Sequence, residues 1–226
     1  MAAHQPVGLA GLARMIDADK NAIQRALVTL HEAGWIEPAT GAAKGWELTS
    51  RIFTVAGWSQ GRNDLRSRAK AELDALRETS GETSLLTVPD NQHFVVADVV
   101  ESRQILRTAP AVGTITLPDR SATGFAILPY LPTESQIAML GQPPDGALLK
   151  RLQRTLRDGY AVAVDTPVQG ITVVAAPVFD SDSLPVAAIC IVAPNDRATR
   201  GKLAEFAELV VNAAKRLSRG APQDRL

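Results

Sequence analysis

The chain has 226 residues, 46% of them hydrophobic, and its 24 Lys and Arg balance 24 Asp and Glu to a net charge of zero. No apolar run approaches the ~18 residues of a membrane span, and no basic leader precedes an apolar core, so a cytoplasmic protein without a membrane partner is expected. A single cysteine, Cys190, excludes an internal disulfide and any metal site that needs two thiolates. His4, His31 and His93 have no ligand spacing, and neither a metal nor another cofactor is expected.

From the N-terminus, Leu9, Leu12, Ala13 and Ile16 recur at the spacing of one helix face and predict a short helix over Leu9–Ile16. Asp17-Ala18-Asp19 reads as a turn, since Asp bonds its own backbone and caps helices. A second helix is predicted over Lys20–Ala33, with Ile23, Ala26, Leu27 and Leu30 as its apolar stripe and Gly34 as its stop. The opposite face carries Asn21, Gln24, Arg25 and Val28. Trp35–Glu37 and Trp46–Leu48 read as two strands around the turn-rich residues 38–45, a hairpin that forms a wing. Helix, turn, helix and wing is a DNA-reading geometry, although the same elements also serve purely structural roles.

In that reading Asn21, Gln24 and Arg25 lie near base edges, where Arg reaches guanine and Asn or Gln adenine. Lys20 and Lys44 meet phosphates, which position the protein without reading sequence. Residues 1–57 hold five basic groups and five acidic ones. Phosphate attraction supplies non-specific affinity, so one such module is expected to bind weakly and two to be needed. Before Leu9, Pro6 and Gly8 disfavour a helix.

Arg51–Ser59 reads as a linker helix that is apolar nearly all round and so needs burial on more than one side. Gly61-Arg62-Asn63 is the expected boundary. Asp64 is expected to cap a helix to about Glu78 with Leu65, Ala69, Leu73 and Leu76 on one face. Thr83–Val88 and Gln92–Val100 predict a hairpin, and Arg103–Ala109 a third strand. Helix, then meander, then further helices and strands indicates an α+β domain.

Residues 118–132 form the most informative loop of this half. The small residues Ser121, Ala122, Thr123 and Gly124 precede a helical turn and are expected to leave backbone N–H groups unpaired, an anion site. Thr133 and Gln136 fit a capping box at the start of another helix. Gly146–Asp158 is a third amphipathic helix (Leu148, Leu149, Leu152, Leu156), stopped by Gly159. Tyr160–Val164, Gly170–Val178 and Pro185–Ala193 read as strands, the last two apolar enough to be covered on both faces or to line a cavity. Arg200–Arg219 closes the chain as a helix with Leu203, Phe206, Ala207, Val210, Ala214 and Leu217 in one stripe, and residues 221–226 are expected to be a disordered tail.

The run LAGLARMIDADKNAIQRALVTLHEAGWIEPATGAAKGWEL resembles the winged helix–turn–helix of IclR-type transcriptional regulators. RSATGFAILPYLPTESQ, DGYAV, GITVVAAPVFDSDSLPVAAICIVAP and the last helix resemble that family's effector-binding domain, in the family's order. The resemblance implies an α+β chain: a winged helix–turn–helix over 1–50, a linker helix over 51–62 that contributes dimer contacts, and a GAF/PAS-like mixed α/β effector domain over 63–220. No Ser/His/Asp or Cys/His set, metal spacing or phosphate-binding glycine motif can be picked out, so no enzymatic activity is expected; the resemblance implies a double-stranded operator as DNA partner and a homodimer or homotetramer. It places a small organic effector at Ser121, Ala122, Thr123 and Gly124. The family's pocket positions fall on Ala163, Val173, Cys190 and Val192, with Asp165 near enough to supply the acid missing at Ala163.

These positions are apolar or weakly polar, so an apolar or aromatic effector is expected rather than a small keto-acid. The family's His and Lys flanking the small-residue loop are here Asp119 and Phe125. The family also has a helix before Leu9, where Pro6 and Gly8 predict none. Two functions therefore stand side by side: a ligand-responsive DNA-binding regulator, or a small-molecule-binding protein whose helical module makes protein contacts.

Overall fold

The computed structural model describes residues 5–40, 44–52 and 60–220, with side chains from residue 65 in the last span. The expected linker helix at 53–59 and the tail at 221–226 lie outside the described residues. The chain divides into two compact units, 1–63 and 64–226.

In the first unit α1 (Leu9–Met15) and α2 (Lys20–Glu32) precede a hairpin of β1 (Ile36–Pro38) and β2 (Trp46–Leu48). Asp19 caps α2 by accepting from the N–H groups of Asn21 and Ala22 at 2.9 and 3.1 Å, which satisfies donors that a helix start leaves open. Gly34 takes φ +73° after α2, the left-handed turn that favours Gly.

The core holds Leu12, Ala13, Ile23, Leu27 and Ile36. Ile16 and Leu30, expected in the apolar stripes, are 61% and 40% exposed, because helices this short turn only one narrow face inward. The segment before α1 is not helical. Val7 bridges Trp46 of β2 by reciprocal hydrogen bonds of 3.2 and 3.0 Å, and Gln5 Oε1 accepts from Leu48 N at 2.6 Å. Buried Val7 thereby joins the core from beside the wing.

The second unit is built on an antiparallel sheet of six strands in the order β5-β4-β3-β8-β7-β6. These are β3 (Thr83–Asp90), β4 (His93–Val100), β5 (Ile115–Thr116), β6 (Ala161–Val164), β7 (Ile171–Phe179) and β8 (Pro185–Pro194). β7 and β8 lie inside the sheet, as their unbroken apolar character requires.

Strand alternation gives the sheet two faces. One carries Leu86, Val174, Ile189 and Ile191 and packs on α3 (Gln60–Ser80) and α7 (Arg200–Leu217) through Leu73, Leu76, Phe206 and Val210. Arg216 clamps Glu72 between these helices with three contacts of 2.7–3.0 Å. The other face carries Leu85, Val96, Ala175 and Cys190 and packs on α4 (Ala122–Ile127) and α6 (Gly146–Asp158). A 3-10 turn at Leu128–Tyr130 and α5 (Thr133–Leu140) join those two helices.

Several expectations are corrected. The division between the units falls at the expected boundary, but α3 begins at Gln60 rather than at a cap on Asp64. Arg103–Ala109 is not a strand. Its two large apolar residues, Ile105 and Leu106, are 100% and 66% exposed, so it offers no face to bury, and Ile115–Thr116 takes the edge beside β4 instead. The capping box on α5 does not form: Thr133 is already inside the helix, Pro132 occupies the cap, and Gln136 donates to Leu131 O at 3.0 Å. α6 has the predicted limits, but Leu149 and Leu156 face solvent while Thr155 is buried.

Candidate functional site

The exposed side of α2 is the first candidate. Ile23 and Leu27 fix the inner face of the helix, and Lys20, Asn21, Gln24 and Arg25 stay exposed, as does Lys44 on the hairpin. None of these five side chains has a hydrogen bond or ion pair to another described residue. Behind them, His31 Nδ1 lies 3.0 Å from Ile36 O and its ring sits 5.2 Å from that of Trp46. Arg51 stacks over Trp35 at 5.4 Å and reaches Ala33 O. These contacts hold helix and hairpin in one geometry.

The second candidate is the face of the sheet beneath α4. The strand register places Ala163 opposite Val173, Val173 opposite Val192, and Val192 opposite Thr83, in one row across four strands. Cys190 lies in the next row between Ala175 and Leu85. Thr123 projects onto this face from α4: its Oγ1 is 3.0 Å from Thr87 Oγ1 and 3.8 Å from Cys190 Sγ. Thus Thr123, Ala163, Val173, Cys190 and Val192 do share one face.

The Ser121–Gly124 stretch differs from the expected open loop. α4 starts directly after Ser121, whose Oγ accepts from Gly124 N at 3.1 Å and donates to Leu117 O at 2.7 Å. The Gly124 amide is therefore not free for an anion. Ser121, Ala122 and Thr123 are 4%, 2% and 4% exposed. Smallness here also has a packing cause. A Cβ on Gly124 would stand 1.9 Å from Pro118 O, so the 118 loop can cross α4 only over glycine.

Asp165 does not swing toward this face. It sits exposed in the β6–β7 turn at φ +55°, and its Oδ1 accepts from Gly170 N at 2.7 Å and Asn195 Nδ2 at 2.8 Å. A carboxylate with two short local donors gains nothing by leaving them.

Burial pushes the Cys190 thiol up to about 12. It is a protonated, inert group at neutral pH, since the thiolate is the reactive form.

Thr87 was not singled out in the sequence, yet it is 1% exposed and bonds both Thr123 and Ala188 O, the latter at 3.3 Å. Its signal was the alternation Thr83, Leu85, Thr87 within an apolar strand, which puts hydroxyls at regular intervals on one face.

Residues 59–219 match the family model described as Bacterial transcriptional regulator IclR C-terminal. The transcriptional repressor IclR of Escherichia coli K12 is 27% identical over 226 aligned residues, spanning 94% of this chain and 82% of the repressor. The acetate operon repressor of Salmonella typhimurium is 26% identical, with 94% and 82% covered. Among solved structures, an IclR transcriptional regulator of Silicibacter sp. TM1040 superposes with a TM-score of 0.83 at 21% identity, covering 96% of this chain and 91% of that one. At that identity the likeness is one of fold. The match over 59–219, more than half of the chain, settles the family: this chain belongs to the IclR family of bacterial transcriptional regulators.

Proposed function

We propose that the protein is a ligand-responsive, DNA-binding regulator working in the cytoplasm as a homodimer or homotetramer. Residues 1–50 act as a winged helix–turn–helix, 51–62 as a linker helix that contributes to the subunit interface, and 63–220 as the effector domain. The observation that carries the reading is the unpartnered row Lys20, Asn21, Gln24 and Arg25 on α2, a helix with its inner face locked and its outer face chemically equipped for base edges. Two copies on a palindromic operator offset the weak attraction expected of a unit whose first 57 residues are charge-balanced.

The effector is a small organic molecule with an apolar or aromatic body. It binds against the α4 face of the sheet, at Ser121, Ala122, Thr123, Gly124, Val173, Cys190 and Val192. Asp165 is left out because its carboxylate already holds the β6–β7 turn. With hydroxyls such as those of Thr123 and Thr87 as its buried polar handles, this face recognises shape more than charge. The effector acts by binding more tightly to one arrangement of the paired DNA-binding units than to another, and its influence on DNA equals that difference.

An electrophoretic mobility shift with the region upstream of the protein's own gene, against a scrambled duplex, tests the reading. A shift of the upstream fragment alone supports it. No shift returns the alternative of a small-molecule-binding protein without DNA function. Tight binding of glyoxylate or pyruvate in a calorimetric titration would overturn the apolar preference.

A further inference from the structure

We infer a second ligand site in the effector unit, a cleft for a small polyanion at the β6 edge of the sheet. The cleft has a volume of about 520 Å³ and runs between α6, β6 and the start of α7. Four arginines line it: Arg151, Arg154 and Arg157 from α6 and Arg200 from α7. Phe125, Tyr160 and the small residue Ala161 contribute to its lining. No residue proposed above for the effector lines it, so the site stands whether or not the chain binds DNA.

The charge of the cleft is what calls for a ligand. Arg151 and Arg154 lie three residues apart on one helix face, where like charges repel, and Arg200 reaches the same space from a different element. Among the described residues, Asp158 is the only acid lining the cleft. It is held by Arg157 through bonds of 2.8 and 3.2 Å. That hydrogen bond also holds the Asp158 carboxyl below its ordinary range.

Arg151, Arg154 and Arg200 have no carboxylate within ion-pair distance among the described residues. Arg151 is oriented by the Phe125 ring, its guanidinium carbon 5.1 Å from the centroid. Thr199, at the start of α7, makes no side-chain cap, and the first turn of that helix contains no acid. The N–H groups there therefore add their positive end of the dipole to Arg200.

Guanidinium groups match phosphate oxygens bidentately, and two of the four here are already oriented, Arg151 by Phe125 and Arg157 by Asp158. The volume is that of a small-molecule pocket, and the half-buried Tyr160 ring in the lining suits a flat apolar body. A nucleoside diphosphate has this chemistry, and inorganic pyrophosphate has its charged half.

Isothermal titration calorimetry of the full-length protein with ADP and with pyrophosphate, at low and at physiological salt, tests the assignment. Both probes are expected to bind with dissociation constants below about 1 mM. Both should weaken at least ~10-fold in Arg154→Ala/Arg200→Ala, because two charge-assisted contacts are removed. Both arginines are exposed, so thermal unfolding of that variant should match wild type. Lys150→Ala, an exposed α6 charge outside the cleft, should leave both affinities within about twofold. The site is refuted if neither probe binds at millimolar concentration, or if the double variant binds both as wild type does. Binding of a short DNA duplex through these arginines while both probes fail would also refute it.

Discussion

Thr123 on α4 and Thr87 on β3 share a hydrogen bond of 3.0 Å at 4% and 1% exposure, the polar tie between that helix and the sheet. Cys190 Sγ lies 3.8 Å from the Thr123 hydroxyl on the same side. The pair stands in the middle of the face where the effector is proposed to bind. Displacing α4 therefore breaks a buried hydroxyl contact, and an effector that repairs it supplies the differential affinity that a switch requires.

Removing one hydroxyl should cost about 1 kcal/mol or somewhat more, since its partner stays buried. Thr123→Val is the cleaner variant, because Thr87 keeps a bond of 3.3 Å to Ala188 O. In urea unfolding, Thr87→Val/Thr123→Val should lose less than the sum of the single variants, which marks the two as coupled. Strict additivity would mean that the hydroxyls do not interact.

Gly124 and Gly146 make a paired test of packing. Gly124→Ala places a methyl 1.9 Å from Pro118 O and should destabilise by several kcal/mol, on the order of a severe overpacking substitution. Gly146→Ala meets nothing within 4 Å at the start of α6 and should stabilise by about 0.5 kcal/mol. Melting temperatures of the two variants should move in opposite directions.

Glu82 is 4% exposed and held by Arg197 Nε and Nη2 at 2.5 and 2.8 Å. Arg197 also donates to Leu106 O at 3.0 Å, pinning the exposed 103–109 segment. Arg197→Met strands a buried carboxylate and should cost about 3 kcal/mol. Proteolysis near Leu106 should rise with it, and Arg197→Lys should rescue only partly, because Lys lacks the planar fork.

Cys190 imposes an alkaline limit. Its thiol is raised from 9.0 to about 12 by burial, so its contribution to stability is fully present below pH ~9. Above that the unfolded thiol loses its proton first, and the contribution falls by up to about 1.4 kcal/mol per pH unit toward pH 12. The difference in stability between wild type and Cys190→Ala should shrink over this window, followed by urea unfolding at several pH values. A constant difference would mean that the thiol ionises as readily in the fold as outside it. Thiol reagents at pH 8 should label the unfolded chain and spare the native one.

Periodicity made much of this fold legible. The limits of α6, from Gly146 to Asp158, follow from its leucine spacing and a stopping Gly159, while the cap on Asp145 was not singled out. β7 and β8 declared themselves by unbroken apolar character. What was not legible depended on contacts that residue spacing does not report. Ser121 to Gly124 read as an open loop because nothing local shows Pro118 lying across them. The wing gains a partner in Val7, some forty residues away, which no spacing rule detects. Asp165 looked available until its bond to Asn195 was seen. The arginines of α6 were visible as charges, but their convergence with Arg200 exists only in three dimensions.

The central claim is that α2 reads DNA, and fluorescence anisotropy across a salt series tests it most directly. The duplex is the region upstream of the protein's own gene, compared with a scrambled one. The account predicts tighter binding to the upstream duplex, with affinity that falls linearly in log salt. Arg25→Ala and Gln24→Ala should each lose about 1–3 kcal/mol on the upstream duplex and little on the scrambled one. Equal affinity for both duplexes, or binding untouched by either substitution, would contradict it.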